Sequence, residues 1–153
     1  MGRVLILFWI FGLFSTLFGY PFTDNGDGSV LDTGTSLVWQ KCSQGQNNDS
    51  TCSGTATKTT WSLALLYCKN LAIGSRTWRL PNANELRSLV DPSIGSTSST
   101  VFPTPIAIGL YWTSTTAPYI VSPTSAYFVN LYSGSMGSQN KAYYAYVRCV
   151  SGP

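Results

Sequence analysis

Four cysteines, Cys42, Cys52, Cys68 and Cys149, constrain this chain more than any other feature. An even number of thiols in an exported chain implies disulfides, and four thiols allow three pairings. Zinc is the rival use. It is disfavoured because the spacings lack a C-x-x-C pair and the chain has no His. Cys42 and Cys52 bracket the polar stretch SQGQNNDST, a short loop that one bridge would close. Cys68 falls on the apolar stripe of a helix, and Cys149 falls in the last strand candidate. The favoured pairing is therefore Cys42–Cys52 with Cys68–Cys149.

Export is read from residues 1–19. Arg3 precedes the apolar run VLILFWIFGLF, and small residues follow near Gly19. That order matches a secretory signal peptide, with cleavage expected after Gly19. An uncleaved anchor is the other reading, since Val4 to Phe22 is just long enough to span a bilayer. No later segment is. Residues 20–153 are then expected to form one domain. Without the leader, eight Lys/Arg against six Asp/Glu leave a charge of +2, too weak for a nucleic-acid footprint. The distribution matters more than the sum. Residues 92–153 hold no Asp or Glu, and their basic residues are Lys141 and Arg148.

Local patterns give the elements. DNGDG, between YPFT and SVLD, carries the Asn-Gly and Asp-Gly pairs that supply positive φ in a hairpin turn. A calcium loop built on Asp24 and Asp27, with Asp32 nearby, fails on spacing, because EF-hand ligands stand at alternate positions. SLVWQ reads as a strand burying Leu37 and Trp39. TTWSLALLYCKNLAIG reads as a helix: Thr60 as N-cap, Gly74 as C-cap, and Trp61, Ala64, Leu65, Cys68 and Leu71 as its apolar stripe. WRLPNANEL (residues 78–86) reads as a strand-to-helix corner. Trp78, Arg79 and Leu80 are extended, Pro81 keeps Leu80 out of the helical region, and Asn82 with Glu85 forms a capping box. Leu86, Leu89 and Val90 then face the core, and Asp91-Pro92 ends the helix. Arg79 is expected to pair with Glu85 or a carbonyl, or to stack on a ring. Residues 93–108 read as a long loop. LYWTST (110–115), SAYFVNLYSG (125–134) and AYYAYVRCV (142–150) read as strands, with YSGSMGSQNK (132–141) a polar turn and TAPYIVSP a loop.

These pieces resemble, in order, a known family. FTDNGDGSVLDTGTSLVWQKC, TWSLALLYCKNL, TWRLPNANELRSLVD, YWTSTT, AYFVNLYSG and YVRCV are similar to the Lcl C-terminal domain family of bacterial collagen-like adhesins, over roughly residues 22–150. TGTSLVW departs from the more usual TTGLMW but leaves the strand in place. The resemblance implies an α+β, C-type-lectin-like fold: two helices flanking a small, twisted, mostly antiparallel sheet, a long loop region, and disulfide bonds. A bridge from the first helix to the final strand is common in such folds. The RLP-x-x-x-E corner also resembles that of formylglycine-generating enzymes. Family members are typically secreted or surface proteins of bacteria, and those with an assigned role resemble adhesins for host or matrix glycans.

Three function classes follow. A binding module for an extracellular polysaccharide or surface glycan would use aromatic faces and a cation. Its candidate residues are Tyr119, Tyr132, Asn140, Lys141 and Tyr143, in or beside the loops at 115–125 and 133–142. A structural or assembly module that self-associates is the alternative. An enzyme is not expected: His is absent, the cysteines look paired and no Ser sits in a G-x-S-x-G turn. Neither a cofactor nor a metal is expected. Calcium independence follows from the carboxylate-free stretch 92–153, because a hard cation needs charged oxygen ligands. Asn48-Asp49-Ser50 is a glycosylation sequon with meaning only in a eukaryotic host.

Overall fold

The structure, a computed structural model, describes residues 21–91, 96–97, 101–103, 109–118 and 122–152. The leader, Tyr119 and most of the expected 93–108 loop lie outside them.

Asn25 to Gly28 turn the chain between β1 (Phe22–Asp24) and β2 (Ser29–Asp32), with Gly26 and Gly28 at positive φ as the hairpin requires. β3 (Val38–Gln40) pairs antiparallel with β2. Its three residues are all buried. Trp39, with Leu37 before it, enters one apolar cluster, while Val38 points to a second on the opposite face. A strand covered on both faces loses the apolar/polar alternation for this reason.

α1 (Trp61–Lys69) buries Ala64 and Cys68, four residues apart on one face, and half-buries Trp61 and Leu65 against the same cluster, which Leu71 joins from beyond the helix end. Two features differ from expectation. Thr60 has N-cap backbone geometry, but its side chain makes no capping bond. Instead the Trp61 N–H donates to the Lys141 carbonyl from across the fold, at 3.0 Å. The helix also stops at Asn70, well before Gly74. Beyond Cys68 the stripe no longer needs helix, and Ile73 leaves it to enter the core, where its carbonyl accepts from Trp78 Nε1.

β4 (Trp78–Arg79) leads through Pro81 into α2 (Ala83–Arg87). The capping box is complete: Asn82 accepts from the Glu85 N–H, and Glu85 accepts from the Asn82 N–H. α2 is five residues long and ends at Ser88, not at Asp91-Pro92. Leu89 is buried by a tight final turn, its N–H reaching the Leu86 carbonyl, and Val90–Asp91 form β5 against β6 (Ser96–Thr97). The long loop is therefore interrupted by a paired strand.

β7 (Leu110–Thr116), β8 (Ser125–Asn130) and β9 (Met136–Asn140) form an antiparallel meander. β9 corrects the expected polar turn. MGSQN has little intrinsic strand preference, but β8 pairs with it over five positions, and the Phe128 ring packs over Gly137 directly opposite. The true turn lies at 131–135. A register shift in β7 between Trp112 and Thr116 leaves the Ser114 N–H free of the β8 ladder, and it donates to the Pro81 carbonyl at 2.8 Å. That bond ties the meander to the start of α2.

The expected strand 142–150 is not one ladder. Ala145 bridges Thr59, Tyr146 bridges Tyr111, and only β10 (Val150–Ser151) enters the main sheet. There it lies between β3 and β4, giving the order β1-β2-β3-β10-β4. The segment meets a new partner every few residues and seals the two clusters together. Ala145, Val147 and Cys149 join α1 in one; Val150 joins Leu86, Leu89, Trp39 and Tyr111 in the other. The disulfides are Cys42–Cys52 and Cys68–Cys149, with Cα–Cα distances of 5.2 and 5.5 Å. The second ties α1 to the residue before β10. The architecture is α+β with mostly antiparallel sheets and, among the described residues, two helices.

Candidate functional site

The charged residues of the corner 78–86 serve the scaffold. Arg79 donates through both terminal nitrogens to the Glu85 carboxylate, each at 2.8 Å, and reaches the Gly152 carbonyl at 3.2 Å. A planar fork on a carboxylate fixes geometry as well as charge. The Arg79 bond holds the Glu85 carboxyl below its ordinary range, and the same bond raises Arg79. Trp78, Leu80 and Pro81 are buried. This corner joins β4, α2 and the end of β10.

Arg148, expected within the strand 142–150, is wholly buried, with 2 % of its surface exposed. Its guanidinium donates to the Gln40 and Lys41 carbonyls and lies 4.6 Å from the Phe102 ring centroid. No carboxylate forms a salt bridge with it among the described residues. Burial pushes it below the usual arginine range, and the neighbouring Tyr111 hydroxyl offsets part of that effect. Carbonyl oxygens and ring faces supply the partial negative charge that a buried cation requires. No sequence pattern announced this, since the carbonyls it donates to lie more than a hundred residues away.

The acidic residues considered for calcium each serve their own turn. Asp24 pairs with Lys41 at 2.6 Å and accepts the Gly26 N–H; the Lys41 bond lowers its pKa. Asp27 accepts from Ser29, and Asp32 accepts from Gly34 and Thr35. Asp49 holds the loop closed by Cys42–Cys52, and the Ser53 hydroxyl depresses its pKa strongly. Among the described residues no three Asp, Glu, His or Cys side chains come together.

The second basic residue of the C-terminal half, Lys141, lies at the surface where three elements meet. Its N–H donates to the Thr124 carbonyl at 2.8 Å, and its carbonyl accepts from the start of α1. Its Nζ sits 4.6 Å from the Trp61 ring centroid and donates to the Pro123 carbonyl at 3.2 Å. Trp61 is fixed in turn by its indole N–H on the Thr113 carbonyl. Asn140 turns the chain after β9, its side chain accepting the Ala142 N–H and its carbonyl the Tyr143 N–H. A hollow of about 550 Å³ opens here, lined by Thr60, Ser62, Pro123, Thr124, Asn140, Lys141 and Ala142. It contains one cation, three hydroxyls, one amide and no carboxylate.

The structure divides the residues expected to bind. Asn140 and Lys141 share the hollow, and Tyr143 is exposed next to them without lining it. Tyr132 is 54 % exposed in the 131–135 turn, at the far end of β9. Five paired residues separate that turn from Lys141, about 20 Å at strand spacing. Tyr119 lies outside the described residues. The contribution of α1, through Thr60, Ser62 and Trp61, was missed. No sequence signal pointed to it, because these residues lie about 80 positions before Lys141 and read only as a helix start.

The model of the Lcl C-terminal domain family matches residues 28–151, and the chain belongs to that family. No curated protein matches it.

Proposed function

We propose that this chain is an adhesin-like, extracellular or surface-exposed binding module that recognises a glycan without calcium, through the Lys141 hollow. Family membership supports the surface-associated, non-enzymatic part of that reading. The observation that carries the rest is the composition of the hollow: a lysine held over Trp61 among hydroxyl and amide groups, with no carboxylate to repel an anionic sugar. An ammonium pairs with sulfate or uronate groups, and hydroxyls and amides suit sugar hydroxyls. A lectin-like ancestry for the fold is consistent with the Cys68–Cys149 link between first helix and final strand. The leader, if cleaved as expected, places the domain outside the cell.

The test is a glycan array on the oxidised domain, after free thiols are counted, followed by titration of a sulfated polysaccharide at rising salt. Binding should be weak per domain, fall with salt and persist in EDTA, because exposed charge pairs are screened and no calcium is needed. Failure of every acidic and neutral glycan to bind a multivalent display would overturn the reading. It would favour an assembly module instead. One observation supports that second reading: α1 leaves Leu63 and Leu66 exposed beside a hollow lined by Gln44, Tyr67 and Leu71.

A further inference from the structure

A second cleft lies on the other side of the meander. α2 sits on the face of the sheet that carries Val129, and Leu86, Leu89 and Val129 share one cluster. The helix is too short to cover the whole face. Tyr127 is two residues before Val129 in β8, so it points the same way, yet it is only half-buried. Between it and the start of α2 is a cleft of about 300 Å³, lined by Asn82, Ala83, Asn84, Thr115, Tyr127 and Met136. All three strands contribute to it.

The walls of this cleft are fixed. The Ala83 N–H donates to Thr115 Oγ1 at 3.0 Å, which locks α2 to β7. Asn82 commits its carbonyl to the Glu85 N–H, so its amide N–H₂ is the part left to a ligand. The Asn84 side chain is exposed and takes no part in the capping box. No charged residue lines the cleft, and neighbouring Glu85 is neutralised by Arg79. A charged ligand would lose hydration here and gain no counter-charge. An aromatic ring, a thioether and two amides fit instead the apolar face and the polar edge of a neutral sugar ring.

The cleft is separate from the Lys141 hollow: α2 packs with Tyr111 and Val129 on one face of the meander, and α1, whose start lines the Lys141 hollow, packs with Trp112 and Ala126 on the other. We propose that the α2 cleft is a subsite for an uncharged sugar residue, distinct from the Lys141 hollow. This rests on the glycan reading of the domain.

The experiment is residue-resolved NMR titration of the ¹⁵N-labelled domain with two probes, a neutral N-acetylglucosamine trimer and a sulfated disaccharide. The neutral trimer should shift Asn84, Tyr127 and Met136. The sulfated probe should shift Lys141 and Ala142. Asn84→Ala should weaken the trimer about tenfold, the scale of one lost hydrogen bond, and leave both the melting temperature and the sulfated probe unchanged. Met136→Ala, at an exposed position, is the second variant and should also weaken the trimer. A trimer that shifts nothing at α2, or binds both variants as it binds wild type, overturns the subsite. A sulfated probe that leaves Lys141 unmoved overturns the reading of the Lys141 hollow and does not bear on the α2 cleft.

Discussion

Lys141 and Arg148 carry the same charge and lie seven residues apart in one segment, yet they have opposite surroundings. Lys141 rests on the outside of Trp61 and is held by one carbonyl. Arg148 lies under Phe102 and Tyr111, with its protons on the carbonyls of residues 40 and 41. The chain turns inward at Ala145, where pairing with Thr59 begins. From Ala142 to Tyr144 the segment is exposed, and from Ala145 every residue to Ser151 is buried or half-buried. The difference teaches that the charge of the C-terminal half is divided. One cation is enclosed by the fold, and one stands at the surface, where the proposed ligand would meet it.

The largest effect should come from releasing the inward part. Removing Cys68–Cys149 as a Ser/Ser pair should cost about 4.5 kcal/mol by loop entropy, against about 2.7 for Cys42–Cys52, given separations of 81 and 10 residues. Urea denaturation of the two double variants decides this. Equal losses would mean the segment is held by packing alone.

Arg148→Met comes next. Methionine keeps much of the volume but leaves two inward carbonyls without their donor, at about 1–3 kcal/mol each where no water reaches them. A midpoint shift worth about 3 kcal/mol is expected. An unchanged midpoint would show that desolvating the guanidinium cancels what its bonds contribute, and the division of roles would weaken.

Smaller effects should separate the two helix starts. Asn82→Ala should cost about 1 kcal/mol through its capping bond, while Thr60→Ala should cost almost nothing, because Thr60 makes none. The Glu85 carboxyl has a lowered folded-state pKa. Its contribution is therefore complete above its ordinary value near 4.5 and is lost as pH falls through the lower folded value. Glu85→Gln should flatten the acid limb of the stability curve below pH 4.5. An unchanged acid limb would show that the Arg79 pair does not matter to folding.

What was legible in the sequence was local. The hairpin at DNGDG, the Asn82–Glu85 box and the stripe through Cys68 each depend on residues within four positions, so their chemistry is visible in the string. The cysteine pairing was legible because only a few combinations exist. β9 was missed because its strand state is imposed by β8 and by Phe128 on Gly137. The segment 142–150 was misread as one strand because its apolar content reports burial, which holds from Ala145 onward, and not the change of partner every few residues. Arg148 could not be placed without knowing that residues 40 and 41 pass beside it. The Lys141 hollow was half legible. Asn140 and Lys141 stood out as polar residues in an uncharged half, but the wall built by α1 comes from 80 residues earlier.

The most direct test is Lys141→Gln, followed by sulfated-polysaccharide titration at low salt and by thermal unfolding. Its cation–π contact is worth about 0.5–1 kcal/mol at an exposed site, and its backbone bonds survive the substitution. The account predicts that binding is lost while the melting temperature falls by no more than a few degrees. Wild-type binding by Lys141→Gln, or a loss of stability as large as that of Arg148→Met, would contradict it.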